Sequence, residues 1–311
     1  MNIVRHRKIF YAIALLLIAA SLFAIFYWKL NLGVDFKGGA LVEVEYTGNR
    51  PEVSEVKERV KALDLQESIR ATGEKGYIIR TKTLDEAQHI ELLNALNTRN
   101  ASTTGAVMEK RFDSIGPLLG AEAAKKSLVS IILVLICIVL FITYAFRQVS
   151  EPVASWKYGL IAIVSLIHDV LVPAGVFAFL GHYFGYEIDT LFVTALLVVL
   201  GFSIHDTIVV FDRVRENLKH ADSKETFEHT VGKSISQTFT RSINTSLTTL
   251  LALFVLYFVG PEATKHFSLA LLIGITAGTY SSIFIGSPLL VTVEKWQKNK
   301  AAKRAEKHSK R

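Results

Sequence analysis

Residues 9–28, 128–146, 158–180, 188–211, 245–259 and 267–293 form six runs of mostly apolar side chains. A helix needs about 20 such residues to cross the hydrocarbon core of a bilayer. Inside lipid every backbone N–H and C=O must be paired within the protein, so long apolar runs leave few folds open. The sequence therefore predicts a polytopic bundle of six membrane helices, with the remaining residues in loops. The fifth run is short and opens on polar residues, so its start is the least defined. The fourth can continue past Phe211.

Most charges sit in three blocks: residues 29–126, 212–241 and the tail after Val293. The net charge of +7 raises nucleic acid as a partner. The basic residues, however, flank the apolar runs, where they orient membrane helices, so no nucleic-acid role is expected. With the N-terminus inside, Arg5, Arg7, Lys8, Arg147, Lys157, the 212–241 loop and the tail are cytoplasmic. Only Lys265 then falls in the short outer loops 181–187 and 260–266. The expected layout is a cytoplasmic tail 1–8, a first span 9–28, an extracytoplasmic domain 29–126, a bundle 127–293 with a cytoplasmic loop 212–241, and a basic cytoplasmic tail 294–311. That tail suits an anionic leaflet. The first run has the charged start of a signal peptide, but its apolar part is too long and no small-residue cleavage site follows, so it reads as a retained anchor. The lone cysteine, Cys137, lies in an apolar run and reads as a packing thiol.

The large loop has its own pattern. Residues 41–47 alternate apolar and polar side chains as a strand does. Pro51 precedes Val53, Val56, Val60 and Leu63 at helical spacing. Residues 67–71 and 77–83 read as two strands around a turn at 73–76. Residues 84–98 form a second amphipathic helix, with Leu84, Ala87, Ile90, Leu93, Ala95 and Leu96 apolar, and 106–112 a last strand. This βαββαβ order fits a ferredoxin-like α+β domain, so the predicted class is an all-α six-helix membrane bundle carrying an extracytoplasmic α+β domain.

Charged groups at membrane depth are functional candidates, because an Asp at a helix centre costs about 2.5–3.5 kcal/mol to insert. Asp169 lies in the third run, four residues before Pro173. Proline has no N–H, so the Asp169 carbonyl loses its helical partner, as in helices broken at a cavity. The bland alternative is a protonated Asp that serves as interhelical glue. Asp206 lies in the fourth run, with Ser203 one turn earlier and Gly201 leaving room for another helix. Arg241 opens the fifth run ahead of Ser242, Asn244, Thr245, Ser246, Thr248 and Thr249, and is placed to reach Asp206 or to snorkel to the interface. His168 and His205 each precede an Asp. Neighbours on a helix diverge by about 100°, so each pair is expected to split between two faces. No HExxH or CxxC spacing points to a metal. Gly274, Gly278, Ser282 and Gly286 recur every four residues as a helix-packing stripe.

Five segments carry a resemblance. They are NLGVDFKGG from Asn31, SIGPLLG from Ser114, IHDV from Ile167, GFSIHDTIVVFDRVREN from Gly201 and RSINTS from Arg241. In this order they resemble the SecF family, which is grouped with the resistance-nodulation-division transporters. The resemblance implies half of such a transporter, paired with a separate SecD chain beside the SecYEG channel. It implies use of the proton-motive force to help draw preproteins across the inner membrane of a bacterium. No cofactor is implied beyond a proton or sodium gradient, and no enzymatic activity. It places the ion pathway on Asp206 and Arg241, with Asp169 also an expected acid. The family usually has Asn before the Asp of the fourth span; here it is His205, a side chain that titrates near neutral pH and is a further relay candidate. Asp35, Gly38 and Gly39 fall in a hinge or structural motif, and Pro173 in another. Three other readings compete: an intramembrane aspartyl protease using Asp169 and Asp206, a small-molecule exporter acting as an oligomer, and a scaffold that uses no gradient.

Overall fold

The structure is a computed structural model and describes residues 3–65, 68–97, 106–147, 152–220 and 225–309. In chain order the elements are α1 (Arg7–Trp28), α2 (Val34–Lys37), β1 (Gly39–Tyr46), α3 (Val53–Lys61), β2 (Ser68–Thr72), β3 (Gly76–Thr81), α4 (Glu86–Leu96), β4 (Val107–Ile115), α5 (Pro117–Ala145), α6 (Ser155–Phe184), α7 (Thr190–Lys219), α8 (Phe227–Val259) and α9 (Glu262–Ser281). A π-helical turn, Ser282–Gly286, joins α9 to α10 (Ser287–Ser309). Two compact units result: Leu32–Leu128, and Met1–Asn31 with Val129–Arg311.

The second unit is the helical bundle. Among the described residues, six helices are long and apolar enough to cross a membrane. Helices α6 and α9 carry many of the buried side chains, whereas α5 and α8 leave most of theirs exposed. Cys137 is exposed on α5, so the expected packing thiol is not in the core. At one end of the core, Tyr158 stacks on Phe146 at 5.4 Å and meets Phe211 edge-on at 5.2 Å. At the helix ends beyond it, Glu228 of α8 accepts from Arg7 at 3.0 Å and also from Lys295, tying α1, α8 and α10 together.

The helices outrun the apolar segments. Most of the expected loop 212–241 is helical, because α7 continues to Lys219 and α8 begins at Phe227. Ion pairs Asp212–Arg215 and Arg213–Glu216, one turn apart, support the polar end of α7. The Thr226 hydroxyl accepts from the His229 N–H at 3.3 Å and caps α8. Pro173 does not break its helix either: α6 is continuous through it. One missing hydrogen bond is tolerated where neighbouring helices clamp the turn.

The first unit is a four-stranded antiparallel sheet in the order β2-β3-β1-β4, with α3 and α4 in the sequence order βαββαβ. The two-residue period of a strand puts Ala40, Val42, Val44 and Tyr46 on one face, all buried with Val56 and Val60 of α3 and Leu92 and Leu96 of α4. Helix α4 starts at a capping box: Asp85 accepts from the Gln88 N–H at 2.8 Å, and Gln88 accepts from the Asp85 N–H at 3.1 Å. With that start, His89, Leu92 and Leu96 face inward. Ile90, expected on the apolar face, is exposed, as is Ala87. His89 replaces them by stacking on Phe112 at 3.7 Å and bonding Glu109 at 3.1 Å. Val53 is likewise exposed, and Leu63 lies beyond the end of α3.

The segment around Asp35 is more than a linker. Asp35 sits in the first turn of α2, and Gly38 and Gly39 follow with φ of 76° and 124°. A Cβ on Gly38 would lie 2.6 Å from the Pro117 Cα, and one on Gly39 2.7 Å from the Thr81 carbonyl. Both positions therefore need glycine for backbone angle and for space.

The hydroxyl of Tyr46 is buried without a hydrogen-bond partner among the described residues, and burial pushes its phenol up to about 12. An unfolded tyrosine ionises near about 10. Above that pH the unfolded chain releases the proton first. The contribution of Tyr46 is thus complete below about pH 10 and is lost as pH rises through its folded value. Thermal unfolding of the full chain in detergent should show a falling midpoint between those limits. Tyr46→Phe should flatten that fall, and an unchanged slope would contradict the assignment.

Candidate functional site

Polar side chains recur at helical spacing on several helices of the bundle interior, and those around the two acids lie on α6, α7, α8 and α9. Ser165, His168 and Asp169 face inward on α6, Ser203, Asp206 and Thr207 on α7, and Thr279 and Ser281 on α9. Asp169 is completely buried. Its Oδ2 accepts from the Ser203 hydroxyl at 2.5 Å and the Ser281 hydroxyl at 2.8 Å. Its Oδ1 lies 2.9 Å from Nδ1 of His168. One carboxyl thus ties α6, α7 and α9.

That contact corrects the expectation that His168 and Asp169 split between faces. Both are buried, because α6 is enclosed by α1, α7 and α9 and has room for two adjacent polar side chains inside.

Asp206 is also buried, but differently satisfied. Its Oδ2 has no hydrogen-bond partner among the described residues. Its electrostatic neighbours are His205 and, from α8, Ser242, Ser246 and Arg241. The Ser242 hydroxyl faces Asp206 with no other partner among the described residues, while Ser246 bonds Thr279 at 2.6 Å. A polar track therefore runs from Asp206 past the α8 serines to α9. Ser203 lies one turn from Asp206 and donates to Asp169, so α7 carries both acids' surroundings.

Arg241 makes no ion pair with Asp206 among the described residues; it is exposed. The inward stripe of α8 is Thr238, Ser242 and Ser246, and Arg241 is one residue, about 100°, away from it. His205 is displaced from Asp206 in the same way and is exposed. Gly201 is exposed too, and a Cβ there would meet nothing within 4 Å, so no helix among the described residues uses the room it leaves. In the glycine stripe, Gly274 packs on Val199, Gly278 on Ser203 and Gly286 on Ser165, while Ser282 donates to the Thr279 carbonyl at 3.2 Å.

The two acids do not hydrogen-bond each other, so the shared-proton pair of an aspartyl protease is not assembled among the described residues. Sequence reasoning did not single out Ser281, Thr279 or His168 as partners. The one signal for them was hydroxyl residues spaced along otherwise apolar helices.

Residues 95–296 match the family described as protein export membrane protein SecD/SecF, C-terminal, and residues 29–49 match the SecD/SecF GG motif. The chain belongs to the SecD/SecF family. It is 42% identical over 307 residues to a protein translocase subunit SecF of Thermobaculum terrenum, covering 94% of each chain. It is 37% identical over 297 residues to that of Anaerolinea thermophila, again covering 94% of each. Among solved structures it resembles SecDF, a translocon-associated membrane protein of Thermus thermophilus, with a TM-score of 0.81 and 29% identity, covering 95% of this chain and 39% of that one. A SecDF in a super-membrane-facing form gives a TM-score of 0.66 at 28% identity, covering 99% of this chain and 40% of that one. The chain thus spans about two-fifths of the SecDF chains. The GG motif of the SecD/SecF family falls on the strained pair Gly38 and Gly39 described above.

Proposed function

We propose that the chain is a SecF-type subunit of the Sec protein-export machinery. It works with a SecD-type chain beside the SecYEG channel and uses the proton-motive force to help move preproteins across the cytoplasmic membrane of a bacterium. In this reading both termini are cytoplasmic, as the distribution of Lys and Arg supports, and the sheet unit is extracytoplasmic. The sheet is of ferredoxin-like type, supported by its βαββαβ order and its strand order β2-β3-β1-β4.

Asp206 is the observation that carries the gradient-driven reading. A membrane carboxyl is costly, and that of Asp169 is compensated by three hydrogen bonds. The Asp206 Oδ2 has none. A carboxyl oxygen left open in this way can exchange a proton as its surroundings change. A shift of α8 that brings Arg241 to Asp206 favours proton release, and its withdrawal favours uptake. Alternation of the two arrangements biases the bundle by the work of each charge moved, about 2.3 kcal/mol per 100 mV.

The test compares export of a secretory precursor in cells with and without the chain, before and after a protonophore. The part of export that depends on the chain should vanish with the gradient, and a SecD-type chain should copurify. A chain-dependent part that survives the protonophore but not removal of the sodium gradient assigns sodium as the coupling ion. One that survives both assigns a scaffold.

A further inference from the structure

The reading above places the exchanging proton on Asp206 and makes no use of the imidazole of His168. That ring is 1% exposed, inside the bundle. Its Nδ1 faces Asp169 at 2.9 Å, and its Nε2 is buried without a hydrogen-bond partner among the described residues. Asp169 is the opposite case. Two hydroxyls converge on its Oδ2 at 2.5 and 2.8 Å, and with the ring proton on Nδ1 the imidazole donates to its Oδ1. A carboxyl that accepts on both oxygens has the hydrogen bonding of the ionised form. Nε2 of His168 is the nitrogen of this cluster that no hydrogen bond among the described residues occupies.

We propose that His168 is a second proton-binding group of the bundle, taking up and releasing a proton at Nε2 while Asp169 remains its ionised counter-ion. Uptake forms one N–H bond with a proton from water and breaks none in the protein. The imidazolium keeps its Nδ1–H on Asp169, so its charge appears beside a carboxylate rather than alone in the apolar interior. The role of this step in transport rests on the gradient-driven reading; its occurrence does not.

The surroundings leave the pair isolated from other charges. From α9 the Tyr280 ring faces His168 at 5.9 Å, and its hydroxyl is donated to the Phe10 carbonyl of α1. Tyr11 of α1 is tied to Thr292 of α10. Asp206 of α7 has its neighbours on α8, and Glu294 of α10 pairs with Lys298. Among the described residues no Lys or Arg pairs with Asp169. One of its donors has a second acceptor: the Ser281 hydroxyl also reaches the Gly278 carbonyl at 3.1 Å. When the pair loses or gains charge, that hydroxyl can turn between the carboxylate and its own helix. Ser281 is the last residue before the π-helical turn Ser282–Gly286, a kind of irregularity frequent at functional sites. The pair is thus linked to the one place where the last membrane helix departs from α-helical bonding.

The test is nitrogen-15 NMR of histidine-labelled full-length protein in lipid nanodiscs from about pH 5 to 9, around the ordinary histidine range. The His168 signal is assigned by its loss in His168→Gln. A one-proton transition at Nε2, with Nδ1 protonated throughout and the transition shifted or abolished in Asp169→Asn, is expected. His168 remaining neutral and in one tautomer over that range, while exposed histidines titrate, overturns the proposal. In cells His168→Gln retains an N–H donor for Asp169 but cannot take the proton, so the pH profile of export should change shape. An unchanged profile overturns the part of this step in export, while its occurrence is decided by the spectra. If instead export proves independent of any gradient while His168 titrates, the functional reading falls and the proton site stands.

Discussion

Asp206→Asn lowers chain-dependent export to the level of cells that lack the chain, with membrane amounts of the chain and its SecD-type partner unchanged. The substitution keeps side-chain volume and removes only the capacity to ionise. Its structural cost is small, because the Oδ2 position that becomes an amide gives up no hydrogen bond. The loss should stay below about 1.5 kcal/mol, the usual net worth of one neutral hydrogen bond. The functional cost is large. One charge moved through 100 mV is worth about 2.3 kcal/mol, close to a fifty-fold bias between two states. Without a titrating carboxyl at this point that bias is lost. The measurement is the rate of precursor processing, with immunoblots of both subunits. Unchanged export would refute the gradient-driven reading and leave a scaffold. Asp169→Asn is a poorer test, because it disturbs three hydrogen bonds among three helices and so confounds chemistry with packing.

The membrane helices were legible because lipid demands long apolar runs, and that demand is written in consecutive residues. Their ends were not, since Asp212–Lys219 and Phe227–Phe239 are polar enough to read as loop and are held helical by ion pairs and a cap. The strand β1 was legible from its alternation of apolar and polar side chains. The inward face of α4 was misread because Ala87 and Ile90 are apolar, while the capping box at Asp85 sets a rotation that buries His89 instead. In the candidate site, Asp169 and Asp206 stood out as charges in apolar surroundings. Their partners did not. Whether Arg241 or Ser242 faces Asp206 is decided by about 100° of helix rotation, which packing fixes and local sequence does not. The pairing of Ser203 and Ser281 on one carboxyl depends on how closely α7 approaches α9, and so on a glycine far from both acids in sequence.

That glycine supports the second large effect. Gly278→Val is expected to destabilise the bundle by about 3 to 5 kcal/mol and to loosen the hydrogen bonds on Asp169. A Cβ at Gly278 would lie 2.8 Å from the Cβ of Ser203, 3.2 Å from its hydroxyl oxygen and 3.4 Å from its Cα. Rotating the serine side chain cannot relieve contact with its Cβ, so α7 must move away from α9. Overpacking of this kind costs about 1–3 kcal/mol. The same displacement stretches the 2.5 Å bond from Ser203 to Asp169, and, with Asp169 ionised as in the proposed pair, that hydrogen bond is worth about a further 1.5–3 kcal/mol. Gly201 is the control on the same pair of helices, since a Cβ there meets nothing within 4 Å. Gly201→Val should change stability by no more than about 0.5 kcal/mol, as surface substitutions do. Thermal unfolding of both variants in detergent decides the point. Equal losses at the two positions would mean that helix propensity, not the approach of α7 to α9, sets the cost. A large loss at Gly278 alone would show that the spacing of these two helices holds the buried carboxylate in place.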